Sequence, residues 1–264
     1  MFYWIYDLPT WALGALISLG FVAIAWTGTI AFRATVHKRL RSERRANDLI
    51  GFMLSSFSVI YGVLLGLIAV AAYQSYANTE DTVSREAASL ASMYHMVANY
   101  PPPARQALEL AVGQYTLQTI RVDWPQQQRG VTPTEGSRRI TSLYSVLLAF
   151  QPRDSAQIIL HTATLDELNR YVELRRARLA SVEAGIPAVL WFVVMVGALL
   201  NIILIWLLDM ELHVHLILGG MLAFFIGLVV FIIAAMDHPL RGTVSISSGA
   251  LQSVYDSLMK EPAG

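Results

Sequence analysis

The chain has 264 residues, with 19 basic against 19 acidic side chains and only 14% charged. Apolar residues make up 55% and mean hydropathy is +0.49, whereas a soluble domain is roughly 25% charged. An ordinary soluble domain is therefore excluded, zero net charge speaks against nucleic acid as a partner, and the absence of cysteine excludes disulfides, thiolate metal sites and thiol nucleophiles.

Charge-free intervals locate the membrane spans. There are 25 uncharged residues between Asp7 and Arg33, 31 between Asp48 and Glu80, 25 between Glu183 and Asp209, and 25 between Glu211 and Asp237. A bilayer-crossing helix needs about 20 apolar residues. The intervals predict four transmembrane helices near 10–32, 50–74, 186–208 and 214–236. The N-terminus lacks a basic n-region and is not expected to be a signal peptide. Phe2, Tyr3, Trp4, Tyr6 and Trp11 suit an interfacial aromatic belt instead.

The link at 33–48 carries Arg33, Lys38, Arg39, Arg41, Arg44 and Arg45. The positive-inside rule places it in the cytoplasm, in an inner-membrane protein. Arg85, Arg170, Arg175, Arg176, Arg178 and Arg241 count the other way. The short link carries more weight, because long loops translocate largely regardless of charge. The 75–185 region and the C-terminus are then expected outside the cytoplasm.

Residues 75–185 hold 11 Arg, 11 acidic residues and no Lys. Val83, Ala87, Leu90, Tyr94 and Val97 form one helical stripe, which Tyr100-Pro101-Pro102-Pro103 stops. A helix from about Ala104 to Val122 is expected to end at Trp124-Pro125, with a loop over Gln126–Thr134. A third carries Ile140, Leu143, Tyr144, Leu147 and Leu148, and a fourth runs from about Arg153 to Glu183. No useful β-alternation appears. The fold class is all-α: four spans, with a helical domain inserted between the second and third. The segments are 1–74, 75–185, 186–236 and a tail at 237–264. The second span is expected to run on as one helix of roughly 75 Å from Leu49 to Asn99. The alternative is a new helix capped by Thr79.

Several stretches resemble one known family in order and spacing. They are Glu43 and Asn47 ahead of Gly51, Tyr61-Gly62-Val63-Leu64-Leu65-Gly66, and Arg85-Glu86-Ala87 with Leu90 and Tyr94. Tyr115, Asp123-Trp124-Pro125, and Arg175 and Arg178 ahead of Ile186-Pro187 and Trp191 follow. His238-Pro239-Leu240-Arg241-Gly242 and Ser245-Ile246-Ser247 complete the set. Together they resemble the bestrophin-like-domain membrane family over about 43–255, with Asp123 where a Glu is expected. The resemblance brings no activity or catalytic residues. It implies an analogy with anion channels built as ring-shaped oligomers.

Gly51, Ser55, Ser58, Gly62, Gly66 and Ala69 lie on one face of the second span. One reading is close helix packing, with Gly62 and Gly66 as the contact pair. The other is a polar path in an oligomer, with Ser55, Ser56, Ser58 and Tyr61 offering oxygens. Gly219, Ala223 and Gly227 repeat the packing pattern. Asn201, alone and strongly polar in the third span, either bonds another helix or lines the path. Asp209, Glu211, His213 and His215 are candidate metal ligands, or a solvated turn. No phosphate loop, metalloprotease or nucleophile-elbow motif appears, so no enzyme and no cofactor is expected. The expected partners are the lipid bilayer, ions and further copies of the chain. The leading expectation is an oligomeric ion channel, with path-lining candidates Ser55, Ser58, Tyr61, Gly62 and Asn201. The alternative is a non-conducting sensor or scaffold.

Overall fold

The computed structural model describes residues 9–40, 44–133, 135–183, 185–241 and 244–260. Phe2, Tyr3, Trp4, Tyr6, residues 41–43 of the basic link, and Gly242 lie outside them. The elements are helices α1 (Thr10–Leu40), α2 (Arg44–Val97), α3 (Ala104–Gln118), α4 (Trp124–Gln128), α5 (Glu135–Leu148), α6 (Ser155–Glu183), α7 (Ala188–Trp206), α8 (Leu212–Asp237) and α9 (Gly249–Val254). No strand occurs among the described residues. Among the described residues four helices are long and apolar enough to cross a membrane: α1, α2, α7 and α8.

α2 is unbroken through Thr79, which is buried in mid-helix rather than capping a new one. The chain forms two compact units, Met1–Ser75 with Gly185–Asp237, and Tyr76–Ala184 with His238–Gly264.

In the first unit α1 packs along α8 and also meets α7. Small residues permit this closeness. A Cβ on Gly227 would lie 2.7 Å from Ser18 Cα, and one on Gly28 would overlap the Trp206 ring. The two indoles that fill the space are satisfied across helices. Trp206 Nε1 donates to Ala25 O at 3.0 Å and Trp26 Nε1 to Leu216 O at 2.8 Å. α2 joins through a narrow strip: Tyr61, Leu65 and Ile68 pack with Val194, Ala198 and Ile202. At the other end of α7, Asp237 accepts the Ile186 N–H at 2.5 Å and the Trp191 indole N–H at 3.1 Å. The last residue of α8 thus satisfies an orphan donor ahead of α7.

In the second unit the predicted stripe of α2 is buried at Val83, Ala87, Leu90 and Val97, with Met93 beside them. It meets Leu108 and Val112 of α3, Leu143 and Leu147 of α5, and Leu168 and Tyr171 of α6. One expectation fails here. Trp124-Pro125 does not end the second domain helix. A π-turn at Thr119–Asp123, in which Trp124 N–H donates to Thr119 O, carries the chain on into α4. Pro125 follows this π-turn directly, as the second residue of α4. After α8 the described residues of the C-terminal segment join this core. Leu240, Ile246 and Leu251 are core residues, and Ile246 O accepts the Trp124 indole at 3.1 Å.

The α1–α8 contact makes a direct prediction. Gly227→Ala should lower the unfolding midpoint in detergent, by ~1–3 kcal/mol in stability, because a methyl group meets backbone. Gly20→Ala, with nothing within 4 Å of the new carbon, should hold or raise it. Tryptophan fluorescence on heating reads both; equal midpoints would remove the close contact.

Candidate functional site

Two groups of residues carry polar chemistry, one in each unit. The first is the small-residue stripe of α2. At about 100° per residue, the stripe is centred roughly a quarter-turn from the strip that packs on α7. Ser55, Gly62 and Gly66 accordingly lie on the outside of the unit, and nothing comes within 4 Å of a Cβ built on either glycine. Ser58 is half-buried, and its Oγ donates to Asn201 Oδ1 at 2.7 Å. Asn201 Nδ2 donates in turn to Gly197 O at 2.9 Å. Tyr61 is buried, donating to Val194 O at 2.9 Å. Tyr61 and Asn201 therefore stand behind the outer face, with their polar atoms bonded to α7. Gly219, Ala223 and Gly227 are buried inside the unit.

The acidic and histidine residues between α7 and α8 are not gathered. α8 begins at Leu212, so His213 and His215 point about 200° apart. His215 is buried with Nε2 2.8 Å from Ile205 O, while His213 is exposed. The Asp209 N–H donates to Asn47 Oδ1 at 2.9 Å, tying the α7–α8 turn to the start of α2. Among the described residues no three His, Asp or Glu side chains are placed to hold a metal ion.

The second group is a buried polar layer in the helical unit. Arg178 Nε and Nη2 donate to the two oxygens of Glu86 at 2.5 and 3.0 Å, a bidentate pair with both side chains about fully buried. Arg178 Nη1 donates to Gln127 Oε1. The guanidinium carbon lies 4.8 Å from the centre of the Trp124 ring. Tyr171 OH donates to Tyr115 OH at 3.0 Å, and the rings meet edge to face. Asp123 and Arg175 approach Gly136, where a Cβ would lie 2.5 Å from Asp123 Oδ2 and 2.7 Å from Arg175 Nη2.

Burial opposes the Arg178 charge, but the Glu86 carboxylate outweighs it and holds the proton more tightly than usual. Burial pushes both tyrosines up. Burial also lifts the Asp123 carboxyl above its ordinary range, with Arg175 and Arg178 opposing.

This layer was not assembled from the sequence. Glu86, Tyr115, Asp123-Trp124, Arg175 and Arg178 appeared there as scattered parts of a resemblance, and Thr119 and Gln127 were not singled out. A signal existed. Thr119, Asp123 and Gln127 recur every four residues, and Glu86 falls three residues after Val83 on an apolar face.

The fold is that of a polytopic, all-helical membrane protein whose second span continues unbroken into a helical unit. Residues 19–251 match the model of the Bestrophin-like domain, and the chain belongs to that family. Its fold is similar to a bacterial bestrophin homologue from Klebsiella pneumoniae. Two crystal structures of mutants of that protein give TM-scores of 0.65 and 0.63 at 12% and 11% identity, each covering 93% of this chain and 97% of that one. A crystal structure of a membrane protein carrying a point mutation gives a TM-score of 0.67 at 10% identity, with the same coverage. No curated protein matches the chain in sequence.

The Asp123 shift has a pH consequence. A carboxyl whose folded pKa is raised stabilises the fold fully below its unfolded pKa, about 4, and loses that contribution as pH rises through the folded value. Asp123→Asn holds the neutral shape. The midpoint of the parent should therefore fall relative to the variant as pH is raised from about 4 through the raised pKa of Asp123. A difference that stays constant across that range would show that Asp123 does not titrate in the folded state with a raised pKa.

Proposed function

We propose that the chain is one subunit of a homo-oligomeric ion channel of the bacterial inner membrane, and not an enzyme, with a path lined by the outer face of α2. The observation that carries this reading is the open small-residue face. Gly62 and Gly66 have no neighbour within 4 Å of a Cβ, and Ser55 is exposed beside them, on a helix otherwise rich in bulky apolar groups. A face of small and hydroxyl residues is suited to helix approach or to ion passage rather than to lipid. The family match and the likeness to a bestrophin homologue support the same reading.

Of the oxygens proposed for the path, the Ser58 hydroxyl is engaged with Asn201, which leaves Ser55 as the freer ligand. The spans carry no Asp, Glu, Lys or Arg between 49 and 79 or within 10–32, 186–208 and 214–236. Charge selection then falls to the mouths. The second reading, a sensor or scaffold, is favoured by the polar layer of the helical unit, which belongs to no membrane face.

Flux through liposomes holding the purified protein separates the two. The parent should conduct. Ser55→Val should cut flux by roughly tenfold, the equivalent of ~1.4 kcal/mol of lost ion stabilisation. An inert parent would favour the sensor; an unchanged Ser55→Val would move the path off this face.

Sidedness follows from the basic link, which we place in the cytoplasm, with the 75–185 region outside it. The chain has no native cysteine to confuse labelling. Val131 is exposed in the helical unit and Glu211 is exposed near the Asn47–Asp209 contact. Val131→Cys should react with an impermeant thiol reagent in cells with a permeabilised outer membrane, and Glu211→Cys should be protected. The reverse pattern would invert the topology.

A further inference from the structure

Thr119, Asp123, Gln127 and Arg175 are each at least nine-tenths buried, and each presents a polar atom without a hydrogen-bond partner: Thr119 Oγ1, Asp123 Oδ1, Gln127 Nε2 and Arg175 Nη2. Buried polar groups are almost always paired, because an unpaired one costs about 1–3 kcal/mol. Four in one layer point to a ligand. Three of the four atoms can donate a hydrogen bond, and one belongs to a guanidinium, which does not lose its proton in proteins.

Their placement is set by the surrounding helices. Thr119, Asp123 and Gln127 follow one another at four-residue intervals along the α3–α4 segment. Gln127 spends its oxygen on Arg178, which leaves only its amide N–H groups. Arg175 lies one turn before Arg178 on α6, and reaches Gly136 of α5 beside Asp123. Glu86 of α2 is neutralised by the bidentate Arg178. Tyr115 of α3 and Tyr171 of α6 are bonded to each other. Arg139 of α5 acts on Asp123 only from an exposed position. Asp123 is the carboxylate that meets Arg175 beside Gly136, and it offsets the Arg175 charge only while it is ionised.

We propose that this layer binds a small inorganic anion, held by Arg175 Nη2, Gln127 Nε2 and Thr119 Oγ1, and taken up together with a proton on Asp123. Protonation removes the carboxylate that competes for Arg175. It also converts the carboxyl into a fourth donor, through its O–H. A buried cation left without its counter-charge is costly, so the anion replaces the charge that the proton cancels. The site stands whether or not the protein conducts, since it lies in the helical unit's core.

The test uses the full protein in detergent, with sodium bromide against sodium gluconate at equal ionic strength. Bromide should raise the unfolding midpoint of the parent, and more at about pH 5.5 than at about pH 8. Arg175→Gln should abolish the bromide shift. If that variant does not fold, Thr119→Val, near-isosteric and lacking only the donor, should reduce it. Asp123→Asn should leave a shift that no longer depends on pH. Crystals grown in bromide should show an anomalous peak against Arg175 Nη2. The proposal is overturned by a bromide shift equal in parent and Thr119→Val, by no bromide shift in the parent, or by an anomalous peak elsewhere only. Because midpoint and peak are read without any flux measurement, loss of this site and loss of the channel reading are told apart.

Discussion

The Arg178–Glu86 pair is the constraint around which the helical unit is organised. Two fully buried charges gain little over an apolar pair of the same volume, but removing one partner alone leaves a charge that costs about 3–5 kcal/mol. The pair therefore fixes which faces of α2 and α6 meet. Gln127 caps the remaining guanidinium nitrogen, Trp124 covers the flat face, and the Trp124 indole holds the backbone of Ile246. The C-terminal segment is thereby tied to the same core, although more than one hundred residues separate Trp124 from Ile246.

The membrane unit solves a different problem. In hydrocarbon, polar groups must be satisfied by the protein itself. Ser58, Tyr61, Asn201, Trp26 and Trp206 all bond to a neighbouring helix, chiefly to backbone carbonyls. Close approach comes from glycine, as at Gly227 against Ser18. α2 is the exception. It touches the rest of its unit through one narrow strip and leaves the remainder of its surface open. A helix held on so little of its circumference has faces left for other copies of the chain, which is why the oligomer and the path are proposed together.

What could be read from the sequence divides along physical lines. Spans were legible because charge is so costly in a bilayer that its absence marks them, and α7 and α8 fall within two residues of expectation. The stripe on α2 was legible as one face, because helical periodicity alone sets that. Which way the face points was not legible, since small residues suit both packing and exposure. The glycines of α8 turned inward and those of α2 outward. Trp124-Pro125 misled because proline is a reliable stop only within a regular helix, and a π-turn upstream allows the chain to continue. The polar layer was illegible because its members come from α2, α3, α4 and α6, far apart in the chain. Periodicity places residues on faces, but says nothing of which faces meet.

Those same members bear on what the family resemblance means. Glu86, Tyr115, Asp123, Trp124, Arg175 and Arg178 belong to it, and all of them are buried in the helical unit. Part of the likeness in sequence is thus a likeness of that unit's interior. The outer face of α2 contributes only the Gly62 and Gly66 stretch, where nothing but smallness is specified. A chain can keep the interior and alter Gly62 or Gly66 without a clash inside the unit, because nothing lies within 4 Å of a Cβ at either. The proposed path therefore rests on α2, and the proposed anion site rests on the layer around Arg175 and Asp123.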